Sequence, residues 1–161
     1  MQRPIAHRPM RRPAKLARGV AAVEFALTLA PLLVLTFGVT EYGRAIYTYN
    51  ALDKATRDAA RHMTAVVATN PVRKAEARNL AVYGDIAGSG APLAPGLTTG
   101  MVDICDAIDC PATHAGVATG SGVVNLVTVS IAGYTYTSIV TYVAPATINF
   151  NAIATTMRSQ L

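Results

Sequence analysis

One carboxylate, Glu24, stands in an otherwise uncharged run over residues 20–40, VAAVEFALTLAPLLVLTFGVT. An acidic side chain held at mid-membrane is unfavourable by about 2.5–3.5 kcal/mol. Such a residue usually has a job and a partner. The alternative is a carboxylate that snorkels to the interface beside Arg18. Phe25 follows directly, and its plainest role is lipid contact.

The remaining reactive residues lie far downstream. Cys105 and Cys110 are the two cysteines of the chain. In an oxidising compartment an even count favours a disulfide, and so short a loop gives about 2 kcal/mol or less by chain entropy. Zinc needs more ligands, and His62 and His114 stand isolated in the sequence, so no metal is expected. Asp103, Asp106 and Asp109 recur at every third residue around the cysteines. Calcium uses carboxylates, but no EF-hand-like glycine or closing glutamate follows, and a solvated loop is the expectation. The sequence contains no nucleophile–base–orienter set and no phosphate-binding glycine loop before a helix. Neither an enzyme, a cofactor nor a small-molecule substrate is expected.

The elements that position these residues begin with the apolar run itself. At about 1.5 Å per residue it spans roughly 31 Å, the hydrocarbon thickness of a bilayer. Pro31 should kink this helix, a change that membrane helices tolerate, and Gly38 should loosen its exit end. Arg3, Arg8, Arg11, Arg12, Lys15 and Arg18 precede the run with no acidic residue among them, and the rest of the chain holds eight basic and nine acidic residues. The net charge of +5 therefore belongs to the N-terminus. That asymmetry argues against nucleic acid as a partner and places the N-terminus in the cytoplasm with the C-terminal region translocated. With Pro4, Pro9 and Pro13 among the basic residues, the first 18 should be extended or disordered and held at the lipid phosphates. A secretory signal peptide competes. It is weakened by the length of the run and by the absence of a small-x-small site after Leu35, residues 40–44 (TEYGR) being a poor one. A plain uncleaved anchor stays open.

Past the membrane the helix should continue. Ala45, Ile46, Tyr49, Leu52, Thr56, Ala59, Ala60, Met63, Val66 and Val67 recur at the three-and-four spacing of one helical face. Lys54, Arg57, Asp58 and Arg61 fall opposite, Asp53 at the edge, and Asp53–Arg57 and Asp58–Arg61 are spaced to pair. Tyr42, Tyr47 and Tyr49 suit an interfacial aromatic belt. Asn70-Pro71 should cap a second helix over residues 71–83 closed by Gly84, with Arg73, Lys74 and Arg78 as a solvated face. Residues 87–100 read as a loop. Strands are expected over residues 101–105, 123–131 and 147–157, with a break or bulge at Gly133, a bulge near Asn151 or Ala152, and turns at residues 116–122 and around Pro145.

A basic leader, then Gly19, four small or apolar residues, Glu24, Phe25 and an apolar helix resemble the cleavage region of type IV pilin-like proteins. The G-x-x-x-x-E-F form is most similar to the tight-adherence (Tad/Flp) group, and the length is similar to that of its TadE-like minor pilins. The resemblance implies that Gly19 is the last leader residue and that Val20 is the new N-terminus exposed by a prepilin peptidase. Glu24 would then pair with the free amine of a neighbouring subunit, with Phe25 beside it. It further implies a part in assembling adhesive pili with other pilin and Tad secretion-machinery subunits, at a bacterial inner membrane, as a single-pass protein that either stays there or enters the fibre. The other reading is an unprocessed, membrane-anchored binding domain. The expected fold class is α+β: a long N-terminal membrane-embedded helix extended as an amphipathic stalk, with a small antiparallel sheet packed on it. Residues 1–19 form the leader, 20–69 the membrane helix and its extension, and 70–161 the exported α+β region.

Overall fold

Between residues 15 and 64 the one helix-breaking side chain is Pro31, and the helix α1, Lys15–Thr64, runs through it for 50 residues. The computed structural model describes residues 15–65 and 70–159, with side chains from residue 19 onward. The expectations for residues 1–14, for the side chains of Lys15 and Arg18, and for Val66 and Val67 lie outside the described residues.

α1 has two unlike halves. From Val20 to Val39 the large apolar side chains face outward. From Glu41 the rest of the chain covers one side, burying Ala45, Leu52, Ala55, Thr56, Ala59, Ala60 and Met63. Ile46 and Tyr49, expected on this stripe, lie at its margin and remain about half exposed, at 47% and 46%. Lys54, Arg57, Asp58 and Arg61 face solvent. Asp53 pairs with Arg57; Asp58 and Arg61 form no ion pair among the described residues.

The helix α2, Pro71–Tyr83, has the ends its sequence calls for. The Asn70 side chain accepts a hydrogen bond from the Val72 N–H, Pro71 occupies the first turn, and Gly84 closes the helix in the left-handed conformation. Ala77, Ala81 and Val82 face α1 and the sheet in one buried cluster. The loop that follows is pinned by Ala94 and Leu97, both buried in that cluster.

The strands are β1 (Val102–Cys105), β2 (Val117–Ala118), β3 (Val123–Ile131), β4 (Thr135–Thr137), β5 (Thr147–Asn149) and β6 (Ile153–Ser159), with a single-turn helix α3 at Pro111–His114. All pairings are antiparallel. β3 is central: β1 and β6 lie along its two edges, and β2 pairs with its first residues, Val123 and Val124. Alternation places Val127, Val129 and Ile131 against α1 while Thr128 and Ser130 face away, where Thr128 and Thr156 share a hydrogen bond. The fold is thus α+β, a long apolar helix with a small antiparallel sheet packed on its upper half.

The expected bulge at Asn151 or Ala152 is absent. Ile131 is paired with Ile153, the Phe150 N–H donates to the Tyr134 carbonyl, and Thr135 is paired with Asn149. Residues 132–134 therefore face 150–152 with none to spare. Gly133, at φ 72°, turns the strand instead. Both strands change face together: odd-numbered Val129 and Ile131 are buried before the turn, even-numbered Tyr134 and Tyr136 after it. This exchange, rather than an inserted residue, accounts for the parity change between Phe150 and Ile153.

Candidate functional site

The lower half of α1 carries Gly19, Val20, Glu24 and Phe25, all exposed, with Val20 at 59% and Phe25 at 65%. α1 is the one described helix long and apolar enough to cross a membrane. Its few polar side chains are handled locally. The Thr28, Thr36 and Thr40 hydroxyls donate to the carbonyls of Glu24, Leu32 and Thr36 at 3.1, 2.8 and 2.8 Å, which satisfies them without water. Glu24 differs: its carboxylate has no hydrogen-bond or ion-pair partner among the described residues. At Gly19 an added Cβ would meet nothing within 4 Å, so the fold itself makes no demand for glycine there. In a helix interior that glycine costs about 1 kcal/mol relative to alanine.

Just past the apolar run the chain surrounds a second carboxylate, Glu41, which is 3% exposed. The Tyr136 hydroxyl donates to its Oε1 at 2.7 Å and the Ile139 N–H to the same oxygen at 3.1 Å. Arg44, one turn on, places Nη1 at 3.2 Å from both oxygens, and its guanidinium lies 5.7 Å from the centre of the Tyr136 ring. Tyr136 stacks on Phe150, which also meets Tyr134 and, edge to face, Tyr49. Of the three tyrosines expected at the interface, Tyr49 is thus shared with the core, while Tyr42 and Tyr47 stay 68% and 76% exposed. Sequence reasoning missed Glu41 because its partners lie 95 and 98 residues away. The available signal was a charge-free stretch, residues 134–157, whose tyrosine hydroxyls would need an acceptor once buried.

The cysteines sit at the opposite end of the folded part beyond α1, residues 70–159, which forms the head of the molecule. Cys105 and Cys110 are joined in a disulfide with their Cα atoms 5.7 Å apart. His114 is not isolated: its Nδ1 lies 3.8 Å from the Cys105 sulfur, and Nε2 is 2.7 Å from the Thr128 hydroxyl. With the sulfurs bonded to each other no thiolate is free, so Cys105, Cys110 and His114 offer a three-ligand set only after reduction. His62, likewise, lies 3.0 Å from Glu76.

The aspartates are not one solvated loop either. Asp103 and Asp109 are exposed, but Asp106 is buried, its Oδ1 accepting from the Ile108 and Asp109 N–H groups. Lys74 reaches from α2 to Asp106 at 2.7 Å and Asp109 at 2.6 Å. Burial acts to raise the Asp106 carboxyl, yet the Lys74 ammonium and the two backbone donors outweigh it and hold the group below its ordinary value. Burial likewise acts to lower Lys74, and the two aspartates outweigh it and raise the ammonium. The expected solvated face of α2 is therefore a set of ties: Lys74 to the disulfide loop, Arg73 to Glu76, and Arg78 to the Val102 carbonyl. Nothing brings the cysteine end and the Glu24 end together; the covered half of α1 separates them.

Residues 19–61 match the model of a family described as TadE-like protein. No curated protein matches the chain, and no solved structure does. The matched segment begins at Gly19 and takes in both glutamates of α1.

Proposed function

We propose that this chain, TadE-like over residues 19–61, is a minor pilin or pseudopilin that takes part in assembling adhesive Tad/Flp pili after a prepilin peptidase removes residues 1–19. The observation that carries the reading is Glu24. It is the one side chain of the apolar run with unmet polar groups among the described residues, on a stretch of helix that the rest of the chain leaves bare. Cleavage after Gly19 creates an amine at Val20, and Glu24 pairs with that amine in a neighbouring subunit, setting axial register. A glycine that the fold does not require is in keeping with a site read by an external enzyme. Membrane lipid, the peptidase and other pilin and Tad machinery subunits are the partners. The protein is a single-pass component of the inner membrane with its N-terminus cytoplasmic and residues 70–161 outside.

The competing reading is an unprocessed anchored binding domain, and it draws on the helical backbone that α1 keeps on both sides of Gly19. Coexpression with a cognate prepilin peptidase decides between them. Intact mass should show loss of residues 1–19 and a new N-terminus at Val20, and Gly19→Leu should block that loss while insertion continues. A chain still beginning at Met1 in the presence of active peptidase would overturn the proposal.

A further inference from the structure

We propose that the loop between β4 and β5, residues 138–146, is a second membrane contact that enters the headgroup–acyl boundary beside α1. The inference rests on the reading of residues 20–40 as the membrane span. The loop turns toward that span, not away from it. Val143 Cγ1 lies 3.2 Å from where a Cβ on Gly38 would stand, so the glycine permits a close approach and does not merely loosen the exit. Val143 closes an apolar groove whose other wall is Val34, Leu35, Val39 and Tyr42. Val34 lies about 9 Å below Thr40 along the axis, so the loop reaches alongside residues that face the acyl chains.

Its composition fits that depth. The loop lies in a stretch, residues 110–157, without Asp, Glu, Lys or Arg. Tyr142 is 99% exposed and Ile139 73%, the latter beside the buried Glu41 contact. The base of the loop is hydrogen-bonded within the chain, while the Val140, Thr141 and Tyr142 N–H groups at its tip have no partner among the described residues and are left to the hydrated headgroup level. Ser138 N–H donates to the Ala146 carbonyl, Val143 and Ala144 N–H donate to Val140, Ile139 N–H donates to Glu41, and the Ser138 hydroxyl donates to the Pro145 carbonyl. A tyrosine at the tip, with Tyr42 beside the groove, suits the interface, where an apolar ring and a polar hydroxyl are both solvated. Lipid is favoured over a protein partner because the apolar surface of the loop is continuous with the lipid-facing surface of α1.

The chain has no tryptophan, which permits single-tryptophan depth measurements. Tyr142→Trp, Ile139→Trp, Leu32→Trp in the span and Ile108→Trp in the disulfide loop are reconstituted as full chains in phosphatidylethanolamine/phosphatidylglycerol vesicles doped with lipids brominated near the glycerol end of the acyl chain. Quenching of the two loop variants several-fold above that of Ile108→Trp, unchanged as protein is diluted into lipid, is the expected result. Adding Gly38→Leu should reduce it while the Leu32→Trp signal holds. Loop quenching no greater than that of Ile108→Trp, with Leu32→Trp quenched, overturns the proposal and leaves the membrane span standing. An unquenched Leu32→Trp removes the span and the proposal with it. Loop shielding that grows with protein density, without bromine quenching, assigns the loop to a neighbouring subunit and also overturns it.

Discussion

Glu24 and Glu41 sit on the same helix, yet the first meets no partner within the described residues while the second is enclosed by Tyr136, Arg44 and the Ile139 backbone. The lower half of α1 is bare and the upper half is clothed by the head. The difference separates two uses of a carboxylate in an apolar setting. Where the chain supplies the donors, the charge fastens the molecule to itself. Where it does not, the charge stands without a partner among the described residues, and the pairing proposed above takes that setting as its ground.

The largest effect expected from breaking this contrast falls on assembly. Removing one side of a buried pair costs about 3–5 kcal/mol, so Glu24→Leu should abolish copurification with pilus or machinery components. Leader removal and thermal unfolding of the isolated protein should stay normal. Undiminished association would dismiss the register mechanism.

A smaller effect, on folding instead of assembly, is expected at the upper carboxylate. Tyr136→Phe deletes a hydrogen bond to a charged acceptor, worth about 1.5–3 kcal/mol, and should lower the melting temperature of the protein without altering cleavage. No change in melting would mean that Arg44 and the Ile139 N–H suffice for Glu41.

Next in size is the far end of the head. Cys105 and Cys110 should resist thiol labelling in exported protein without reductant, and Cys110→Ser should destabilise by about 2 kcal/mol or less. Two freely reactive thiols would refute the bond.

The smallest expected effect is at the Lys74–Asp106 tie. Asp106 is held below its ordinary carboxyl value of 3.8, so its contribution is complete above that pH and is lost as pH falls through the lowered value. Lys74 is raised above 10.5, so its contribution is lost only as pH rises through that raised value. Denaturation curves at stepped acid pH should show a loss below about pH 4 that Asp106→Asn reduces; an identical acid profile in the variant would remove Asp106 from the account.

What could be read beforehand divides along the same line as the two carboxylates. Features set by neighbours in sequence were legible: Asn70-Pro71 and Gly84 bound α2 as capping chemistry requires, and β3 alternates as written. The bare apolar helix on which Glu24 stands was legible for the same reason. Contacts closed by chain reversal were not. Glu41, Asp106 and His114 each look ordinary until a distant Tyr136, Lys74 or Thr128 arrives. The strand parity was visible, but a bulge and a paired face exchange leave the same one-strand pattern, and only the partner strand tells them apart.

An unbroken α1 also sets a phase. At 3.6 residues per turn, Glu24 and Glu41 are displaced by about 100° around the axis and about 26 Å along it. The head is clamped to the helix at Glu41, so turning Glu24 toward a neighbour also dictates the azimuth at which the head is displayed. Under the proposed pairing, the sheet would then face roughly a quarter-turn away from the molecule that receives the Glu24 carboxylate.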